Sequence, residues 1–466
     1  MTLDELCAGR VALWGLGREG LAMVDLLAER GVTALLIDDR PDDAAHRLDR
    51  GSDPGAGPGV LAPDRVPWDA VDVVVRAPGV SRYRPELDEA RARGVTVTTA
   101  MALWLEDFAD APVVAVTGTK GKSTTAALCA AILSEGGRRV DLIGNIGVPV
   151  TDTYRGPPAD AYVVEISSYQ AADVTVTPGV CILTSLAPDH LDWHGGEERY
   201  YRDKLRLIEA GPPGAVGVNA GSAEALRRTD GRTDRTLFGP RGRVRVGESG
   251  AVLVDDRPMG ELPPLRVPGT HNLWNLCGAI TGVLLLDGRP PSTAAVGAVM
   301  AGFEGLPSRC RTVGESHGLT FVDDALASNP FATVASLGAF PRRQLTVIVG
   351  GADRGVDPAG LVDALATRRP APRVLVLAPD PHRLADAVVA RSARSAGAAG
   401  PGPSGGGPVV EVVADIETAV LRARAVTPAG GVVLFSPAAP TPDGEGGYSV
   451  RSRRFVEASG VPVAPG

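Results

Sequence analysis

Lysine is almost missing from this chain. Of 47 basic side chains in 466 residues only three are lysine (Lys120, Lys122 and Lys204), and arginine supplies the rest. Cysteine is sparse as well: Cys7, Cys129, Cys181, Cys277 and Cys310 are odd in number and widely spaced. That pattern excludes a disulfide framework or a cysteine zinc site and fits free thiols in a reducing compartment. No run approaches the roughly 18 apolar residues that a membrane-spanning helix needs. The opening MTLDELCAGR is acidic and lacks an apolar signal core, so the expected location is the cytoplasm. Basic surplus is absent too. The net charge is −8, which argues against a broad nucleic-acid surface and means that any anionic ligand must be held by local groups.

What remains is an ordinary globular composition, 44% apolar and 22% charged, long enough for several cores. Three blocks alternate apolar strand runs with helical patterns, predicting an α/β protein with parallel sheets. The first runs from RVALWGL through GLGREG and LAMVDLLAER to ALLID and AVDVVVRAPGV. The second begins near residue 101, with PVVAVTGTKGKSTT, AYVVEIS, VCILTSL and the helical NLWNLCGAITGVLLL. The third begins near GLPSRCR and carries LTFVDDA, QLTVIVGG, RVLVLAP and GVVLFSP. The expected boundaries are 1–100, 101–305 and 306–466. Low complexity across 395–408 predicts a disordered surface loop.

Two of the three lysines lie in GTKGKST, where a strand delivers the chain to a glycine-rich turn before a helix. Gly118 and Gly121 let backbone N–H groups of the loop, Thr119 and Lys120 among them, curl around a phosphate chain. Lys122 reaches its β/γ oxygens, and Ser123 or Thr124 reaches Mg²⁺. The leading glycine of the usual phosphate-loop pattern is replaced by Val116 or Thr117. Lys120 reads as an auxiliary charge. Glu165, at the end of AYVVEIS, is placed to meet the metal. In APDHLDWHG, His190 is read near substrate or metal and His194 as an ordinary surface residue. GLGREG fits a dinucleotide turn or a turn binding another nucleotide diphosphate, with Asp38 or Asp39 near the ribose position.

The order of these motifs resembles the Mur ligase family of peptidoglycan synthesis, in its glutamate-adding branch. The resemblance spans the whole chain: GLGREG, GTKGKSTT, GNIG (Asn145), VVEISS, PDHLD, YRDKLRL (Lys204), HNLWN (His271 to Asn275), GLPSR (Arg309) and VDDALASN (Asp324). It implies three domains: a Rossmann-like UDP-binding domain, a central ATPase domain and a Rossmann-like domain that brings the amino acid. The UDP group of UDP-N-acetylmuramoyl-L-alanine would be held by Gly17, Arg18, Glu19, Gly20, Asp39, Arg40, Asn145 and His190. ATP would be held by the phosphate loop with Asn275, Arg309 and Asp324, and Lys122, Glu165, His190 and Lys204 would be catalytic. In the family ATP phosphorylates the substrate carboxylate, and the amino acid's amine attacks the acyl phosphate. The lysine at the position of Lys204 is carbamylated there and helps place a second Mg²⁺, next to ligands corresponding to Ser123, Glu165 and His190. Arginine, always protonated, cannot form that carbamate.

The departures fall in the third block. Leu326 stands where D-glutamate enzymes carry a lysine, Arg354 replaces a second lysine after GG, and SPAAPTP ends in Thr441, with Tyr448 further on. With Ser328 these are the expected glutamate contacts. The pattern resembles a subgroup that adds L-glutamate and leaves inversion to a separate epimerase; D-glutamate is the alternative, and an NAD-dependent oxidoreductase and a regulatory phosphate-loop ATPase are the distant ones. A monomer that binds neither nucleic acid nor membrane is expected.

Overall fold

The computed structural model describes residues 1–48, 59–211, 214–352, 356–379, 383–398 and 408–462. Among them the strands form three parallel-rich sheets. The first comprises β1 (Val11–Trp14), β2 (Leu35–Ile37), β3 (Val60–Leu61), β4 (Val73–Arg76) and β5 (Thr96–Thr98), in the order β3-β2-β1-β4-β5. Strands β1 and β4 are buried along their whole length, as expected of parallel strands covered on both faces. Helix α1 (Arg18–Glu29) follows β1 and buries Met23, Leu26 and Leu27, the i, i+3, i+4 spacing of one helical stripe.

The second sheet has nine strands: β6 (Val113–Thr117), β7 (Val140–Gly144), β8 (Ala161–Glu165), β9 (Val180–Leu183), β10 (Ala215–Asn219), β11 (Arg235–Phe238), β12 (Val244–Val246), β13 (Val252–Val254) and β14 (Arg257–Pro258). Their order is β14-β13-β12-β11-β10-β9-β6-β8-β7, and β12, β13 and β14 pair antiparallel. This sheet carries helices α2 (Lys122–Glu135) and α3 (Glu197–Glu209). NLWNLCGAITGVLLL lies within α4 (Thr270–Asp287).

Residues 1–262 and 274–299 form one compact unit, and 263–273 with 300–466 form another. Inside the first unit a single apolar cluster joins residues of both sheets. The helix Ala100–Asp107 lies in it, burying every residue from Ala100 to Leu105. Trp104 stacks on Phe108 at 4.6 Å and meets Tyr162 edge-on at 5.4 Å. A polar tie joins the same sheets. Arg76, at the end of β4, is fully buried and donates to Asp173 (2.6 Å), the Tyr169 carbonyl (2.8 Å) and the Val80 carbonyl (2.9 Å).

The second unit holds β15 (Arg311–Ser316), β16 (Leu319–Asp323), β17 (Leu345–Val349), β18 (Arg373–Leu377), β19 (Val409–Val413) and β20 (Val432–Phe435), ordered β15-β16-β20-β17-β18-β19 with β15 antiparallel. Helices 330–338, 359–367 and 384–398 cover one face, where Leu337, Leu361 and Val388 pack with Val347 and Val374. The helix 416–426 and α5 (Tyr448–Ser459) cover the other, where Val420 and Phe455 pack with Ile348 and Leu375. Strands β11 to β14 and β15 add to those that the apolar runs mark in the sequence. One expectation is corrected: the helix Leu384–Ala398 runs through the first residues of the expected 395–408 loop, of which 399–407 lie outside the described residues.

Asp173→Ala is expected to lower stability by about 3–5 kcal/mol, because it leaves the Arg76 guanidinium buried without its counter-charge. Urea unfolding of the two proteins measures this; a loss below 1 kcal/mol would show that the pair contributes little.

Candidate active site

Strand β6 carries the chain into the loop between Thr117 and α2. Gly118 has φ 144° and Gly121, at the N-terminus of α2, has φ 89°. A β-carbon at Gly118 would lie 2.1 Å from Thr184 Oγ1, and one at Gly121 would lie 2.5 Å from Asn275 Oδ1. The loop is therefore wedged against β9's end on one side and α4 on the other. The expectation for two loop amides is corrected: Thr119 N donates to the Ser185 carbonyl at 2.7 Å and Lys120 N to Ser185 Oγ at 2.9 Å, so the amides the loop can offer an anion are those of the first turn of α2.

Around this loop the structure gathers all three lysines. Lys122 Nζ donates to the Thr119 carbonyl at 3.2 Å. Lys120 Nζ lies 3.6 Å from Asp189 Oδ2. Lys204 projects from α3 and donates to the Gly118 carbonyl at 2.9 Å, with 2% of the residue exposed. Burial, reinforced by Lys122, holds the Lys204 amine well below the ordinary lysine range. Tyr200, one turn earlier, places its ring 5.1 Å from Lys204 Nζ and its hydroxyl 2.6 Å from Thr119 Oγ1.

Glu165 ends β8 and is fully buried. It accepts from Ser123 Oγ at 2.6 Å and from Asn145 Nδ2 at 2.8 Å. Thr124 follows Ser123 in the buried first turn of α2. His190 adopts a left-handed backbone (φ 53°) and lies 3.8 Å from Asp189 Oδ2. Burial first, then Lys122 and Lys204, pushes its pKa down to about 4 against the pull of Asp189, so the imidazole is neutral at neutral pH. Burial opposes ionisation of Asp189, but Lys120, His190, Lys122 and Lys204 together hold its carboxyl below its usual range. Asp189 was passed over in the sequence because its neighbour His190 drew the reading.

Glu165 and Ser123 offer the hard oxygen donors that Mg²⁺ prefers. Among the described residues no group of three or more His, Cys, Asp or Glu could hold a metal. A metal that arrives with phosphate oxygens fits this donor set better than one caged by protein alone.

His194 corrects the surface reading. It is fully buried, with Nδ1 2.7 Å from Asp203 Oδ2 and Nε2 2.9 Å from Ser168 Oγ. Tyr83 Oη donates to the same Asp203 at 2.8 Å. The imidazole thus links the segment just after Glu165 to the residue just before Lys204.

Gly17, Arg18, Glu19, Asp39 and Arg40 line a cleft of about 460 Å³ at the carboxyl end of β1. Gly20 is buried in the first turn of α1. Arg18 reaches the Gly144 and Gly147 carbonyls, both at 3.2 Å, on either side of Asn145. Glu19 accepts from Gln170 and is raised to about 7 by burial. Asp38 ties the glycine turn after β1 to its own loop, accepting from Leu16 N and Arg40 N. Asp39 is half-exposed beside Arg84.

The second unit has its own cluster. Asp324 accepts from Cys310 N (3.0 Å), Ser336 Oγ (2.6 Å) and Ser436 Oγ (2.7 Å), and burial still raises it to about 6. Arg309 lies on the turn before β15, its N–H bonded to the Leu306 carbonyl. Ser328 lines a small apolar cavity with Gly350 and Gly351. Thr441 is half-buried in the loop before α5, and Tyr448 starts that helix, 45% exposed. Arg354 lies outside the described residues.

Residues 116–283 match the family described as Mur ligase middle domain, and residues 308–439 match the Mur ligase glutamate ligase domain. The chain is 41% identical over 475 residues to a UDP-N-acetylmuramoyl-L-alanine–L-glutamate ligase of a Micromonospora species, covering 98% of both chains. It is 40% identical to the enzyme of that name from Salinispora tropica, covering 98% of this chain and 99% of that one. With the enzyme of that name from Xanthomonas axonopodis pv. citri it is 35% identical, covering 100% and 98%. Among solved structures, UDP-N-acetylmuramate–alanine ligase of Thermotoga maritima shares the fold, with TM-score 0.59 and 18% identity, over 96% of this chain and 98% of that one.

Gly118→Ala is expected to cut nucleotide-dependent turnover about a hundredfold by displacing the loop, while stability falls by only about 1–3 kcal/mol. Turnover within threefold of the unaltered chain would show that the loop cradles no phosphate.

Proposed function

The chain belongs to the Mur ligase family, and from that premise we propose that it joins L-glutamate to UDP-N-acetylmuramoyl-L-alanine with hydrolysis of ATP to ADP and phosphate. The reaction belongs to peptidoglycan precursor synthesis, for which the cytoplasm is the expected place. No helix among the described residues is long and apolar enough to cross a membrane. One observation carries the chemistry: the three lysines of the chain converge on the Gly118 loop beside a buried carboxylate and a neutral histidine.

The division of labour in this reading joins the geometry above to the family resemblance. The boundaries near residues 100 and 305 are part of this reading. The cleft of Gly17, Arg18, Glu19, Asp39 and Arg40 receives the UDP group, with Asn145 and His190 on the sugar side. The first-turn amides of α2 and Lys122 hold the β- and γ-phosphates, and Asn275 supports the loop from α4; Arg309 and Asp324 are assigned to the nucleotide as well. Glu165 and Ser123 would hold Mg²⁺, which draws charge off the phosphoryl oxygens when bound. His190, neutral at neutral pH, has a lone pair to add.

Lys204 is the amine suited to a carbamate. Its depressed pKa enlarges the neutral fraction, in which the nitrogen can attack CO₂, lose a proton and become an anion that would serve a second Mg²⁺. The substrate carboxylate is phosphorylated, and the amine of glutamate displaces the phosphate. Cations gathered at the loop oppose the negative charge that develops in both steps. Ser328, Arg354, Thr441 and Tyr448 are assigned to the glutamate. The chain's similarity to relatives named for L-glutamate supports that stereochemistry over D-glutamate. Such a product needs a separate epimerase to acquire a D-centre. The enzyme is proposed to act as a monomer.

Lys122→Ala should abolish ADP release while leaving binding of the UDP substrate measurable by calorimetry. Lys204→Ala should be inactive and partly restored by acetate or formate; full rate in Lys204→Arg would refute the carbamate. L-glutamate should be preferred over D-glutamate at least about tenfold in kcat/KM, the cost of misplacing one charge-assisted contact. Faster turnover with D-glutamate would reverse the stereochemical assignment.

A further inference from the structure

In the second unit β17 and β20 are hydrogen-bonded neighbours whose chains leave toward opposite faces. The helix after β17 packs on one face, and α5, after β20, packs on the other. In open α/β sheets ligands settle in the crevice that such a divergence opens at the carboxyl ends of the strands. Gly350 and Gly351 follow β17 here, and residues 436–440 follow β20. The two loops are laced by Gly350 N to the Pro437 carbonyl and Ala352 N to the Pro440 carbonyl, both 2.8 Å.

Arg451 enters this crevice from the first turn of α5. Its side chain is 2% exposed, its Nη2 donates to the Gly350 carbonyl at 2.8 Å, and its guanidinium lies 5.4 Å from the Phe435 ring. Glu445 Oε2 lies 3.3 Å from Nε. Even so, neither Nε nor Nη1 makes a hydrogen bond among the described residues. A buried arginine cannot shed its proton, so only an acceptor brought to those donors relieves the cost.

The cavity that Arg451 lines, with Gly351, Pro379, Asp415, Glu445 and Arg454, measures about 50 Å³. That is room for roughly three water-sized groups, the size of one carboxylate. The other charged groups are committed. Arg454 forks onto Glu417 at 2.7 and 2.6 Å, and Asp415 caps its helix through Thr418 N. Glu445, 38% exposed on its loop, already holds a glutamyl carboxylate beside the guanidinium.

We propose that Arg451 receives the side-chain carboxylate of the incoming glutamate, displacing Glu445, and so sets the preference for glutamate over its uncharged analogues. The assignment rests on the ligase reading above. In that reading the amine must face the acyl phosphate, and the side-chain carboxylate, at the far end of the molecule, is the group free to enter a cavity this small.

The test compares kcat/KM for L-glutamate and L-glutamine, by ADP release, in the unaltered chain, Arg451→Lys and Glu445→Gln. Lysine keeps a donor for the Gly350 carbonyl but loses the fork. Arg451→Lys should reduce glutamate-over-glutamine discrimination about 10- to 100-fold, raise the KM for glutamate and leave the KM for ATP unchanged. Glu445→Gln, which removes the resident carboxylate from an exposed loop, should lower the KM for glutamate several-fold. Unchanged discrimination in folded Arg451→Lys overturns the assignment. So does a changed preference for glutamate over its α-amide with the glutamine ratio intact, which would move Arg451 to the α-carboxylate. Should Arg451→Lys fail to fold, an unchanged glutamate KM in Glu445→Gln overturns it. Failure of the unaltered chain to release ADP with any glutamate would instead overturn the ligase reading.

Discussion

The hydrogen bond from the Lys204 amine to the Gly118 carbonyl is the contact on which the glycine loop and its surroundings depend. An amine this deeply buried is tolerated only with a good acceptor and nearby anions, and the surroundings supply both. Gly118 holds its place with φ 144°, where an added β-carbon would lie 2.1 Å from Thr184 Oγ1. Tyr200 covers the amine and bonds Thr119, so the helix that carries Lys204 grips the loop at two consecutive residues. Asp203, next in sequence, is held by His194 and Tyr83, which fixes the rotation of α3. The position of the loop and the lowered basicity of Lys204 thus have one origin.

Charge is arranged locally in a molecule that is acidic as a whole. Three lysine side chains near one another repel when protonated, and the chain offsets this with Asp189, held below its usual pKa chiefly by Lys120 and the other basic groups around it. His190 stays out of the balance because burial and the neighbouring lysines keep it neutral. An anion entering the cradle therefore meets cations whose partners are already within the protein, and little must reorganise when it arrives.

Much of this was legible from residue types and spacing. Parallel strands such as VVAVT and LTVIV are apolar throughout because both faces are covered, and glycines at 118 and 121 mark a turn that no side chain fits. Lys204 was legible because a chain that replaces lysine almost everywhere kept it. His194 was not. It sits among Asp192, Gly195, Glu197 and Glu198, which read as a solvated stretch. Its partners Asp203 and Ser168 lie 9 and 26 residues away, beyond any local period. Arg451 was hidden for a similar reason: in SVRSRRF it looks like one of three surface arginines, and only the packing of α5 on Phe435 separates it from Arg453 and Arg454. The strands β11 to β14 escaped notice because each is short and its burial partial.

The scarcity of lysine has a chemical consequence once the three are seen together. A protein whose side-chain amines all border one glycine loop has no bystander amines. Among amines, an acylating reagent, which takes the unprotonated form, can mark only the chain's α-amine or those at this loop. Lys120, with a third of its side chain open to solvent, is the reachable member, and Lys204 is the shielded one. Covalent labelling that elsewhere scatters over a whole surface would here report the occupancy of a single place.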